Sequence, residues 1–182
     1  FGFGDADKSL GGEVSVGIIS LNCQNGTSCF GEDGTAGFKL HKALPSFGDT
    51  HAAVAWTNPI KWGEATKTDT FYGVISKEFD LKPNSDNPFP SLLTLGMGTG
   101  SHRSNRTIKL NENDPNVFGG YGVKILPRVS IASSWNGNAF NTGLGYSPFN
   151  FPLNFSLGIS DITNNSTNGA QWNLNTGYTI SF

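Results

Sequence analysis

The stretch Trp172-Asn-Leu-Asn-Thr-Gly-Tyr-Thr-Ile-Ser-Phe182 sets the reading of the whole chain. Trp172, Leu174, Tyr178, Ile180 and Phe182 occupy alternate positions, with Thr176 the weak member of the set. Asn173, Asn175, Gly177, Thr179 and Ser181 fill the places between them. Successive side chains of a strand point to opposite faces, so one face here is greasy and the other wet. The run is about as long as a tilted strand that crosses a bilayer, ~9–11 residues. A half-buried strand of a soluble protein shows the same alternation over a shorter span.

Working outward, the alternation recurs along the chain with almost no helical periodicity. Ten strands are predicted, at 12–22, 35–44, 50–58, 69–80, 91–100, 116–126, 128–136, 138–147, 152–162 and 171–182. Connections after odd strands are mostly long and polar (23–34, 59–68, 101–115, 163–170), and those after even strands are mostly shorter. The Asn136-Gly-Asn138 hairpin and the 80–90 link break the pattern. Such alternation of long loops and short turns is what an even-stranded barrel with both termini on one side produces. The expected fold is therefore all-β: an antiparallel up-and-down barrel of about ten strands, membrane-spanning, in one domain over 1–182 with 1–11 as a lead-in.

Composition agrees with a two-faced sheet whose second face is neutral. Glycine accounts for 24 of 182 residues, and charged residues for 14%, against about 25% in ordinary soluble domains. A net charge of −2 gives no reason to expect a nucleic-acid partner. No run of about 18 apolar residues marks a transmembrane helix. No basic and apolar leader opens the chain, and Phe1-Gly-Phe-Gly reads as a processed or truncated start. Cys23 and Cys29 flank a polar loop; a disulfide across it implies an oxidising compartment, and two free thiols are the alternative.

The terminal strand with its final Phe182 resembles the closing strand of bacterial outer-membrane β-barrel proteins, in which the last aromatic residue carries the assembly signal. Pro127-Arg-Val-Ser-Ile-Ala-Ser-Ser-Trp135, the segment that continues to Phe149, and Pro152-Leu-Asn-Phe-Ser-Leu-Gly-Ile-Ser-Asp161 are similar to barrel proteins of cyanobacteria and other Gram-negative bacteria. Trp62-Gly and Tyr72-Gly-Val-Ile-Ser-Lys77 extend the likeness. The resemblance implies fold and outer-membrane location, with the bilayer, lipopolysaccharide and the barrel-assembly machinery as partners. It implies no particular activity.

Face assignment by parity supplies the candidate sites. Glu13, Lys39, His41, Glu78, Lys124 and Arg128 fall on the wet face, where opposite signs at one level would form a lumenal charge network. Solvated charges at the barrel mouth are the alternative. Trp56, Trp62, Trp135 and Trp172 gather toward one end of the strands. Phe149, Phe151 and Phe182 gather toward the other, as two lipid-interface girdles would require. Arg103, Arg106 and Lys109 in the 101–115 loop are candidates for lipopolysaccharide contact.

No catalytic constellation accompanies the three histidines, and no metal or cofactor site is expected. Ten strands are too few for a general porin, since open pores come at about 16–18. The expected function is a narrow channel for small solutes or a structural membrane protein, not an enzyme. The rival reading is a soluble extracellular β-barrel or sandwich that serves as a binding or assembly module, with the greasy face as its core.

Overall fold

Each strand of this chain pairs with its neighbours in sequence. The computed structural model describes residues 1–19, 30–148, 153–166 and 169–178. The strands are β1 (Gly2–Gly4), β2 (Gly11–Ile18), β3 (Gly34–Ala43), β4 (Thr50–Trp62), β5 (Thr70–Asp80) and β6 (Pro90–Gly98). After a 3-10 turn (Gly100–His102) and the short helix α1 (Asn105–Lys109) come β7 (Asn116–Leu126), β8 (Val129–Trp135), β9 (Phe140–Tyr146), β10 (Leu153–Ser160) and β11 (Gln171–Tyr178). All eleven form one antiparallel sheet in the order of the chain.

Period-two alternation explains the ten strands from β2 to β11, each of which overlaps an expected one. β1 was hidden in the lead-in, because three residues carry no alternation to read. Local chemistry places the irregularities. In β4 the register against β3 slips near Asn58-Pro59, with Asn58 at φ 57; proline has no N–H to give a ladder, and asparagine tolerates the left-handed region. A second slip falls between Lys124 and Leu126. The β8–β9 hairpin turns on Gly137 at φ 104, where a Cβ would strike the carbonyl oxygen of His102.

The expected barrel is corrected at this point. β1 pairs only with β2 and β11 only with β10, and among the described residues the two ends make no contact with each other. The sheet is open. Closure depends on tilt and stagger summed over every strand, and alternation within one strand carries no information about either.

Several expectations depended on closure and fall with it. An open edge in hydrocarbon would leave backbone N–H and C=O groups unpaired, at a cost of several kcal/mol each. The membrane-spanning fold, the outer-membrane location, the bilayer and lipopolysaccharide as partners, and delivery to a barrel-assembly machinery are accordingly corrected. Without a closed wall there is no lumen to conduct a solute, so the channel is corrected too. No helix is long and apolar enough to cross a membrane among the described residues.

Among the described residues the sheet has no second layer. Strands touch their sequence neighbours, and the Gly100–His102 turn touches β5, β6 and β7. Among the described residues the only buried hydrophobic side chains are Ala55 and Ala139. The rival reading placed the greasy face in a core; within this chain that face remains outside.

Candidate binding surface

Register builds the apolar face row by row. Leu40, Val54, Gly73, Met97 and Val117 are direct partners across β3 to β7, and Ala52, Ile75, Leu95 and Gly119 form the next row. A further row runs Val123, Ile131, Leu144, Leu157 and Leu174 across β7 to β11. Lys42, opposite Ala52, and Lys77, opposite Thr50 and Leu93, are the charged members of this face, both toward one end. Leu95 is 60% exposed and Ile75 54%, in the middle of the sheet. These are the large residues that most folds bury.

The total surface measures the consequence. A compact monomer of 19.4 kDa exposes about 8,500 Å². This chain exposes 12352 Å², an excess of roughly 3,900 Å² over that scaling. An excess of this size is more than one partner contributes to a permanent protein–protein interface, about 1,000–2,500 Å² of a total of about 2,000–5,000 Å².

The opposite face carries the small and polar residues and is the more covered. Lys39 Nζ donates to Glu13 Oε1 at 3.0 Å, and His41 Nδ1 lies 3.5 Å from the same oxygen. The Lys39 ammonium, with His41 contributing, holds the Glu13 carboxyl below the ordinary glutamate range. Half of the expected charge network is therefore one cluster on β2 and β3. Glu78 and Lys124 lie apart from it on β5 and β7, beside a depression of about 270 Å³, and no ion pair joins them. Arg128 Nη1 donates to the Pro148 carbonyl at 2.6 Å. Five of the six lie on strands of one face, with Glu13, Lys39 and His41 gathered in a cluster, and Arg128 sits in the turn between β7 and β8.

Sequence reasoning missed an aromatic stack on this face. The His102 ring lies parallel to Phe118 at 3.9 Å between centroids, with Tyr72 edge-on to both. His102 Nδ1 donates to the Asn136 carbonyl at 3.0 Å. The stack docks the 99–115 loop on the sheet, and it fits because Gly96 and Gly98 leave room under the Phe118, Tyr72 and His102 side chains. Arg103, expected at lipopolysaccharide, serves the same loop: its guanidinium donates to the Gly100 and Glu112 carbonyls at 2.9 and 2.8 Å. Arg106 and Lys109 sit in the last turn of α1 and are exposed.

Asp161 was also missed. It is 4% exposed, at φ 53, and its carboxylate accepts from the Ser166 hydroxyl and N–H, the Asn165 N–H and the Thr163 hydroxyl. The Ser166 hydroxyl above all, then these backbone donors and Thr163, lower its pKa to about 2 against the opposing effect of burial. The signal was present as Asp161-Ile-Thr-Asn-Asn-Ser166, a run of side chains that fold back on their own backbone.

The aromatic girdles lose their premise with the barrel. Trp56 gives its indole N–H to Asp69 Oδ1 at 2.6 Å, and Trp62 gives its own to the Gly31 carbonyl at 2.9 Å. Trp135 is half-buried beside Phe140, and Trp172 is open on β11. Phe149, Phe151, Phe182, Cys23 and Cys29 lie outside the described residues, so the disulfide does too. Among the described residues no three His, Cys, Asp or Glu side chains gather as metal ligands.

The free edges complete the surface. In the β8–β9 hairpin the Asn136 N–H donates to the Ala139 carbonyl, which sets hydrogen-bond parity for the strands that follow. Through the β9–β10 and β10–β11 registers, odd residues of β11 bond to β10. Trp172, Leu174, Thr176 and Tyr178 direct N–H and C=O outward. On the other edge, the Val14 N–H donates to the Phe1 carbonyl and the Phe1 ammonium to the Val14 carbonyl, at 2.7 and 2.6 Å.

No protein-family model, no curated protein and no solved structure matches this chain. The resemblance to outer-membrane barrel proteins is corrected accordingly. It rested on the terminal strand with its final Phe182 and on the stretches 127–149, 152–161, 62–63 and 72–77, whose alternation of large and small residues any one-sided antiparallel sheet can carry.

Proposed function

We propose that this chain is a binding or assembly module, not a catalyst, and that its docking surface is the apolar face of the sheet. The observation that carries the reading is the exposed face: the chain leaves more surface open than a compact fold of its mass, and large residues such as Leu95, Ile75 and Met97 are more than half exposed on it. Water penalises that exposure at about 25 cal/mol per Å², so a covering partner gains strongly from contact. The composition of the face, neutral apart from Lys42 and Lys77 at one end, selects the partner's chemistry over the rest of it. Its occupant is an apolar, uncharged protein surface, because a charged one would be desolvated against Leu, Val and Ile without a counter-charge.

Sedimentation over a range of concentrations in detergent-free buffer, combined with an environment-sensitive dye, tests the reading. The expected result is strong dye binding when the chain is dilute and loss of it as assemblies form. Leu95→Lys, in the middle of the face, is expected to weaken that assembly. A monomer that binds no dye at any concentration overturns the reading. So does a chain that inserts into lipid vesicles and forms no assembly in water.

A further inference from the structure

We propose that β11 is a seam between two copies of this chain, paired antiparallel edge to edge about a two-fold axis. The proposal goes beyond the assembly reading: the seam is an edge contact between two copies, and it leaves the apolar face of each copy open to the occupant described above.

Exposed strand edges invite pairing, and proteins ordinarily block them with charges, proline, bulges or short length. β11 has none of these. Gln171-Trp-Asn-Leu-Asn-Thr-Gly-Tyr178 contains no charged residue and no proline, and its register with β10 is unbroken along all of it. The opposite edge is protected differently. β1 and the Phe1 contacts cover β2 as far as Val14, leaving the short remainder that carries Val16 and Ile18.

Like therefore pairs best with like. Two identical antiparallel strands are related by a two-fold axis normal to the sheet, and such an interface closes at a dimer. The axis sets the apolar faces of both copies on the same side. Trp172 and Leu174 are each 72% exposed, and Tyr178 60%, because they have neighbours on one side only. The seam gives them neighbours on the other side, and pairs the outward N–H and C=O groups of Trp172, Leu174, Thr176 and Tyr178. No like charges meet across it.

The test is sedimentation equilibrium of the full chain as wild type, Thr176→Pro, Thr176→Lys and Val16→Pro. The Thr176 N–H faces the open edge, so proline there leaves the β10 ladder its donors. The lysine variant covers the case in which proline disturbs the strand. The expected result is a wild-type dimer, retained in Val16→Pro and weakened on the order of tenfold or more in both Thr176 variants. Amide exchange at Trp172, Leu174, Thr176 and Tyr178 should slow as concentration rises. A dimer that persists in both Thr176 variants, or one broken by Val16→Pro, overturns the seam. Protection of those four amides in a monomer at every concentration also overturns it, because the edge is then paired within its own chain. Association that ignores Thr176 but is lost in Leu95→Lys removes the seam and keeps the assembly reading; a dye-silent monomer removes both.

Discussion

The two faces of this sheet are made by the same strands and behave in opposite ways. On the face of small residues, side chains touch. Glu13 meets Lys39, the Ser76 and Thr94 hydroxyls bond at 2.9 Å, and Phe118 and His102 lie over glycines. On the face of large residues, Leu, Val and Ile stand in rows that no other described segment covers. A soluble sheet ordinarily reverses this, packing its large residues and wetting its small ones. Folding of this chain thus leans on its polar side, while its apolar side is left for contact with something else.

The sharpest way to break the contrast is to crowd the packed face. A Cβ at Gly96 would strike the Phe118 ring and lie 2.7 Å from the Gly73 carbonyl. Gly96→Val should destabilise by about 1–3 kcal/mol, the usual penalty of overpacking, as urea denaturation would record. Loss of the hydroxyl and amide bonds to Asp161 comes next. Asp161→Ala should speed amide exchange at Asn165 and Ser166 on the order of tenfold. Acid should act in the same place. Because the folded pKa is lowered to about 2, the contribution is complete above the unfolded value of ~3.9 and fades as pH falls toward the folded one. Exchange at Asn165 and Ser166 followed from pH 5 to about pH 2 checks the window.

The Glu13 cluster should respond more weakly. Its members are a third or more exposed or nearly so, so solvent screening leaves Glu13→Gln worth about 0–1 kcal/mol. Its carboxyl is also held low, so that contribution is present above ~4.3 and is lost on further acidification. A thermal melt of both proteins at neutral and acid pH measures it. The smallest effect on the monomer belongs to the bare face. Leu95→Lys should leave chemical stability within about 0.5 kcal/mol of wild type, because Leu95 packs against little. The same substitution is expected to weaken assembly, so the two faces separate by measurement: one governs stability, the other association.

Legibility in the sequence followed the range of the interaction. Parity placed Glu13, Lys39 and His41 on one face, and neighbouring strands made them a cluster. The same parity could not join Glu78 and Lys124 to them, because distance across a sheet depends on how many strands intervene. Arg103 looked like a free loop cation until the loop folded and gave it two carbonyls. The Tyr72–His102–Phe118 stack joins β5, the loop and β7, and no periodicity connects three such segments. Asp161 was legible in principle, since its partners all lie within five residues of it.

What the sequence by itself determined is the strand content and the two-faced character of each strand. Side-chain direction alternates with every residue, and turn residues punctuate the runs, so both are local properties. Whether the eleventh strand returned to the first was decided only in the tertiary structure. Twist, stagger and two register slips accumulate across the whole sheet, and no single strand records their sum. Among the described residues that sum left β11 with a free edge and the apolar face without a second layer, and so moved the functional reading from a wall around a lumen to a surface for a partner.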